Sequence, residues 1–269
     1  MTSGVRSTIA WLSAAFCLAP VTSRAADLKP PTEQAYEKHS AQAVREFVSR
    51  AQKLARESRR CDGVMTARPA SGDGILNVPD GLIHNWMATA FVKGATLRQA
   101  ADVARDYPSY SKVYENVKSA KVLSQQGDVY RVLLRLEEGG LGVEAVLDVR
   151  STVEYRTLGD GAISALSKSD EIRQVNNAGR SNESLRPAGR DSGYLWRAHT
   201  LTLFTQHPDG VSVVMETLGL SRGYPPMTGF WLEPIARRLG RKSAEGSLNE
   251  FLTAVRRSAG LPPPRSPCS

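Results

Sequence analysis

Cysteine is scarce in this chain, three in 269 residues, and no CxxC or Cys/His cluster occurs at metal-ligand spacing. A structural zinc site is therefore not expected. No apolar run reaches the roughly 20 residues that a membrane-spanning helix needs, and the run at residues 9–20 stops well short. Also missing are a GxSxG elbow, a phosphate-binding glycine loop, an HExxH pair and a dinucleotide fingerprint. The hydrolase, nucleotide-dependent and metalloprotease chemistries served by those motifs have no support, and neither a cofactor nor a metal is expected. Catalytic groups that converge from distant strands leave no such motif.

What is present begins with residues 1–25. Arg6, the short apolar run, and Ser23-Arg24-Ala25 ahead of Ala26 have the order of a cleaved secretory signal. The expectation is an exported protein, periplasmic or secreted. In an oxidising compartment Cys61 and Cys268 are free to pair or to stay apart, Cys17 leaving with the signal. The formal charge of +8 then falls to +6, because Arg6 and Arg24 leave and no acid does. Such a mild excess favours an anionic membrane surface or envelope polymer, and argues against nucleic acid outside the cytoplasm; an ordinary solvated surface accounts for it equally.

The rest of the chain divides by pattern. Pro30-Pro31 punctuates, and Thr32 is placed to cap a helix to about residue 59, with Tyr36, Val44, Phe47, Val48, Ala51, Leu54 and Ala55 on its apolar face. Residues 61–80, with Gly63, Pro69, Gly72, Gly74 and Pro79, have a linker's composition, so residues 26–60 read as an appendage to a main domain over 81–258, and residues 259–269 as a loose, Pro-rich tail. In that domain, residues 82–92 read as a strand, and 96–106 and 109–117 as short helices parted by Pro108. Strands follow. Tyr130, Val132, Leu134 and Leu136 alternate with charged residues, as do Val143, Ala145, Leu147, Val149, Val153 and Tyr155. Residues 176–193 read as a flap or a disordered loop, and the last hairpin turns at His207-Pro208-Asp209-Gly210. Over 225–258, Trp231, Leu232, Ile235, Leu239, Leu248, Phe251, Leu252 and Val255 recur at helical spacing. Gly240, Gly246 and a Ser247/Glu250 capping box predict a kink or break between 240 and 247.

Strand, two short helices, six strands and a long helix is an α+β order. Its landmarks are Asp106-Tyr107-Pro108-Ser109-Tyr110 and Val113-Tyr114 before residues 117–127, Tyr194-Leu195-Trp196-Arg197 on the penultimate strand, and Leu220-Ser221-Arg222 with Pro225 before the helix. With these, residues 82–258 resemble the START-like helix-grip superfamily, also called SRPBCC, which includes START lipid-transfer domains, polyketide cyclases and coenzyme Q-binding proteins. The resemblance implies a curved antiparallel sheet of about seven strands wrapped around the C-terminal helix, with an apolar tunnel between them for a lipid, isoprenoid or polycyclic molecule. It marks a fold better than an activity, since one fold hosts many functions.

Candidate ligand contacts follow. Trp86, Tyr130, Trp196, Tyr224 and Trp231 are aromatic candidates for the cavity wall, each also explained by core packing, and Leu134, Leu147 and Ile235 are aliphatic ones. On the final hairpin, a simple register puts Arg197, His199, Leu201 and Leu203 on one face with Val214, Glu216, Leu218 and Leu220. Trp196, Ala198, Thr200, Thr202 and Phe204 then share the other with Val213, Met215, Thr217 and Gly219. Which face is concave stays open. Inside, Arg197 and Glu216 pair at a polar end that orients a ligand headgroup; outside, they form an ordinary cross-strand pair. The expected function is binding or transport of a hydrophobic small molecule. The alternatives are a cyclase- or hydrolase-like enzyme using His199, Glu216 and Tyr130, or an envelope module docking through the N-terminal helix.

Overall fold

The computed structural model describes residues 26–58, 61–140, 143–159, 161–225 and 227–263. The expected signal at 1–25, and Cys268, lie outside them. A short strand β1 (Ala26–Asp27) precedes α1 (Pro30–Ser58), and β2 (Gly63–Pro69) and β3 (Ile75–Val78) lead into β4 (Gly81–Lys93). Next come α2 (Leu97–Arg105), a 3-10 turn at Tyr107–Ser109 and α3 (Tyr110–Val113). Four long strands follow: β5 (Val117–Gln126), β6 (Val129–Gly140), β7 (Val143–Leu158) and β8 (Ala162–Asn176). Two short ones, β9 (Ser184–Leu185) and β10 (Arg190–Asp191), come before the hairpin β11 (Arg197–His207) and β12 (Gly210–Arg222), and α4 (Gly229–Ser258) closes the series.

The main sheet is antiparallel, in the order β2-β4-β12-β11-β8-β7-β6-β5, with β3 also on β4 and β9 on β8. Its seven long strands, the two short helices after β4 and the long C-terminal helix form an α+β helix-grip architecture. Helices cover opposite faces of its central strands. On one face Tyr36, Ala43, Phe47 and Leu54 of α1 pack with Ile83, Met87, Leu201, Leu203, Val214 and Leu218. On the other, Leu248, Phe251, Leu252 and Val255 of α4 pack with Ala88, Ala90, Phe204, Val211 and Val213. Because β4 is covered on both sides, it is buried along almost its whole length, Asn85 and Thr89 included, rather than alternating. β5, at the far edge, buries only Val117 and carries Lys118 and Lys121, which blunt it against pairing with another chain.

Several expectations change. Residues 61–80 are more than a linker, since β2 and β3 both pair with β4, and α1 is a layer of the fold rather than an appendage. Thr32 does not cap α1. The helix starts at Pro30, in the first turn where a missing N–H costs nothing, and the buried Thr32 hydroxyl donates instead to Pro79 O (2.7 Å). α3 ends at Val113 because Tyr114 is extended (φ −108°, ψ 124°).

No break interrupts α4. Glu250 does not cap Ser247 but accepts the Glu115 N–H (3.3 Å), and Gly240 marks a close approach, since a Cβ there would lie 2.4 Å from Trp86 Nε1. Residues 176–193 are fastened rather than loose: β9 pairs with β8, β10 with β1, and Glu183 with Arg135 (2.9 Å). The start of the tail is also held. Leu261 N–H donates to Arg256 O (2.8 Å), Arg256 donates to Pro262 O (3.0 Å) and pairs with Asp62, and the neighbouring Cys61 is disulfide-bonded.

Candidate functional site

The register of β11 and β12 is the simple one, with Arg197 opposite Leu220, Leu201 opposite Glu216 and Phe204 opposite Val213. The side chains sort cleanly. The face with His199, Leu201, Leu203 and Glu216 meets α1, and the face with Thr200, Thr202, Phe204, Met215 and Thr217 is concave.

Between that concave face and the helices α2 to α4 lies a cavity of about 270 Å³. Its floor comes from β6, β7, β8, β11 and β12 through Val132, Leu134, Val153, Tyr155, Ala165, Ser167, Thr200, Thr202, Met215 and Thr217. Its roof is Leu248, Phe251 and Ser247 of α4, and one end is built by Ala104, Tyr107, Tyr110 and Tyr114. No Asp, Glu, Lys, Arg or His lines it among the described residues.

The tyrosine end is tied together. Tyr155 and Tyr110 both donate to Ala104 O (2.7 and 2.6 Å), and the Tyr107 and Tyr155 hydroxyls are 3.0 Å apart. Tyr107 stacks at 5.0 Å from Tyr110 and 5.4 Å from Tyr130, and the Arg105 guanidinium lies 4.4 Å over the Tyr155 ring, held from behind by Asp128 (3.1 Å). Burial pushes the phenol of Tyr155 up to about 12 and those of Tyr107, Tyr110 and Tyr114 upward too. All four are protonated at neutral pH and serve as hydrogen-bonding groups, not bases. The hydroxyls of Tyr114, Ser167, Thr200, Thr202 and Ser247 line the cavity and have no hydrogen-bond partner among the described residues. Asn116 also lines it, its amide spent on Glu138 (2.7 Å), which stands behind.

Of the residues expected to touch a ligand, Leu134 lines this cavity. Tyr130 packs behind the wall on Tyr107 and Tyr155, its hydroxyl accepting from Gln125 (3.0 Å). Leu147 sits in a separate cluster with Ala145, Val149 and Ile172. Trp86 packs beneath Gly240, and Tyr224 is half-buried, its phenol pushed up to about 12 by burial. Trp231 and Ile235 are exposed, at 50% and 39%.

The placement of Arg197 and Glu216 inside the cavity is corrected. They lie on the α1 face, and each pairs with α1 rather than with the other: Arg197 with Glu33, and the fully buried Glu216 with Arg50 (2.8 Å). Burial raises the Glu216 pKa against the opposing pull of Arg50. His199 joins them, its Nδ1 2.8 Å from the Tyr36 hydroxyl, and burial lowers its pKa to about 4. Trp196 is on this side as well, its Nε1 donating to the buried Asp191 (3.1 Å). The residues that line the cavity without having been named as ligand contacts, Tyr107, Tyr110, Tyr114 and the threonines of the hairpin, carried two readable signals. The tyrosines recur at helical spacing, and one hairpin face is polar yet uncharged.

No family description matches the sequence, and none of the curated proteins is similar to it. Solved structures are. The STAR-related lipid transfer protein fragment from Xanthomonas axonopodis is 18% identical with a TM-score of 0.49, over 72% of this chain and 99% of that one. Human StAR-related lipid transfer protein 5 is 15% identical with a TM-score of 0.45, over 81% and 98%. The Zhui aromatase/cyclase from a Streptomyces species is 14% identical with a TM-score of 0.41, over 66% and 94%. With identities and overlaps of this size, the chemistry has to be read from this chain's own residues.

Proposed function

We propose that this chain binds or carries, as an exported protein, a neutral hydrophobic small molecule bearing hydroxyl or carbonyl oxygens, held between the sheet and α4. The observation that supports it is the cavity wall: apolar for the most part and, among the described residues, free of charged side chains and set with five hydroxyls that no other described group uses. An apolar ligand gains about 25 cal/mol for each Å² it removes from water. A charged headgroup has no counter-ion here and would lose several kcal/mol on entry. Oxygens on a neutral ligand meet donors and acceptors whose only other partner is water.

Size narrows the class. A cavity of about 270 Å³ is near the lower bound of ordinary ligand pockets. It suits a compact ring system or one short chain; a two-chain lipid overfills it. Acid-base catalysis finds little support, because His199 and Glu216 lie across the sheet and the phenols at the cavity are held protonated.

The test is displacement of a neutral solvatochromic dye, Nile red, from wild type and from Ala165→Phe, which puts a ring where Ala165 lines the cavity. Binding to wild type and at least a tenfold loss in a folded variant are expected, about 1.4 kcal/mol or more. Equal binding by both proteins would place the dye, and the proposed site, elsewhere.

A further inference from the structure

A second concavity lies outside the ligand cavity, where β2 meets the first half of α4. It measures about 390 Å³ and is lined by Ala67, Arg68, Pro69, Trp86, Pro234, Arg237, Arg238 and Arg241. Four arginines line it, of which Arg68, Arg238 and Arg241 are exposed, and their partners differ. Arg237 is neutralised by Glu233 and Asp73, and the nearby Glu245 is engaged with the Ala67 N–H (2.8 Å). Arg68, Arg238 and Arg241 have no acidic partner among the described residues. Unpaired like charges held around one hollow repel each other unless an anion joins them.

Trp86 also lines the hollow, its indole N–H lying against Gly240 of α4 rather than open to the hollow. Trp86 is 5% exposed, and its indole N–H has no acceptor among the described residues. It sits against Gly240, in the helical turn that carries Arg237, Arg238 and Arg241, and any side chain at 240 would strike it.

We propose that this cleft is an anion site for a phosphate group, with Arg68, Arg238 and Arg241 as its ligands and Trp86 at its floor. Guanidinium forks match phosphate oxygens in pairs and keep their charge at all physiological pH values. Phosphate fits the donor set better than a carboxylate, which offers two oxygens to three guanidinium groups. The site is independent of the cavity reading, since none of its residues lines that cavity. Either a free phosphate ester or the phosphate of an anionic lipid presents this chemistry.

The experiment uses the folded protein and follows the Trp86 indole N–H resonance during titration with inorganic phosphate and with glycerol phosphate. Sedimentation with phosphatidylcholine vesicles, with and without phosphatidylglycerol, forms the second arm. A double variant, Arg238→Gln with Arg241→Gln, removes two ligands. Lys121→Gln with Arg131→Gln removes the same charge from the exposed β5–β6 ribbon. Saturable phosphate binding that weakens about tenfold for each cleft arginine, and not in the ribbon variant, supports the site with a soluble source. Binding confined to phosphatidylglycerol vesicles, with the same arginine dependence, supports it with a lipid source. No binding in either arm overturns it, as does equal weakening in both double variants. Should the cleft variant fail to fold, Arg68→Gln on β2 gives the same reading.

Discussion

At the scale of single residues, His199 sets a pH dependence with a definite sign. Its ring is 7% exposed and faces Tyr36, and burial lowers its pKa from 6.5 to about 4. Between those values the unfolded chain binds a proton that the folded one refuses. Stability is therefore full above pH 6.5 and falls as pH drops toward 4, by at most roughly 3 kcal/mol for one such group. His84, lowered to about 4 by burial as well, adds a similar slope. Denaturant titrations across that window should show His199→Gln with a shallower slope than wild type. An identical slope would mean that the imbalance does not reside at His199. On the concave face, Thr200→Val with Thr202→Val keeps shape and removes two unpaired hydroxyls. The fold should survive, and affinity for an oxygenated ligand should drop by about 0.5–1.5 kcal/mol per lost bond. Calorimetry with the bound compound, once extracted, reads that loss directly, and unchanged affinity means that these hydroxyls do not serve the ligand.

At the scale of elements, the two glycines of α4 separate packing from propensity. Gly246 has open space around its Cα, so Gly246→Ala should gain about 0.5–1 kcal/mol from helix preference alone. Gly240→Ala meets the Trp86 indole at 2.4 Å and should instead lose roughly 1–3 kcal/mol, since neither ring nor helix can yield without repacking. Thermal melts of the pair decide it, and two stabilised variants would show that α4 does not rest on Trp86. α1 has a different standing. Removing residues 26–58 strips the cover from Ile83, Met87, Leu201, Leu203, Val214 and Leu218 and leaves Glu216 without Arg50. Uncovering six buried side chains, at roughly 1.5–3 kcal/mol each, is comparable to the 5–15 kcal/mol that holds a typical domain together. The truncated chain should be insoluble or unfolded by circular dichroism. A folded, soluble product would return α1 to the status of an appendage.

At the scale of the whole molecule, the local patterns were legible and the sidedness was not. Alternation in β6 and β7 and the turn before Gly210 are written in neighbouring residues, so the strands and the hairpin register could be read directly. Which face of the hairpin looks inward depends on α1, through contacts between residues more than 160 positions apart: Tyr36 with His199, Glu33 with Arg197 and Arg50 with Glu216. Polar residues on the inward stripe of α1, Tyr36 and Ser40 among them, were the available sign that the apolar sheet face it covers also carries polar residues. The stripe from Trp231 to Leu239 misled for the opposite reason. It has helical spacing, yet Trp231, Ile235 and Leu239 stay exposed, and α4 grips the sheet through Leu248, Phe251, Leu252 and Val255.

What the cavity holds is the central question, and native mass spectrometry of the protein purified from its own host answers it most directly, with denaturing extraction to identify what is released. A single neutral, oxygen-bearing compound in stoichiometric amount, absent from Ala165→Phe, is the expected result. A bound two-chain phospholipid, or a clean protein mass that persists after incubation with a lipid extract, contradicts the assignment of a compact neutral ligand to this cavity.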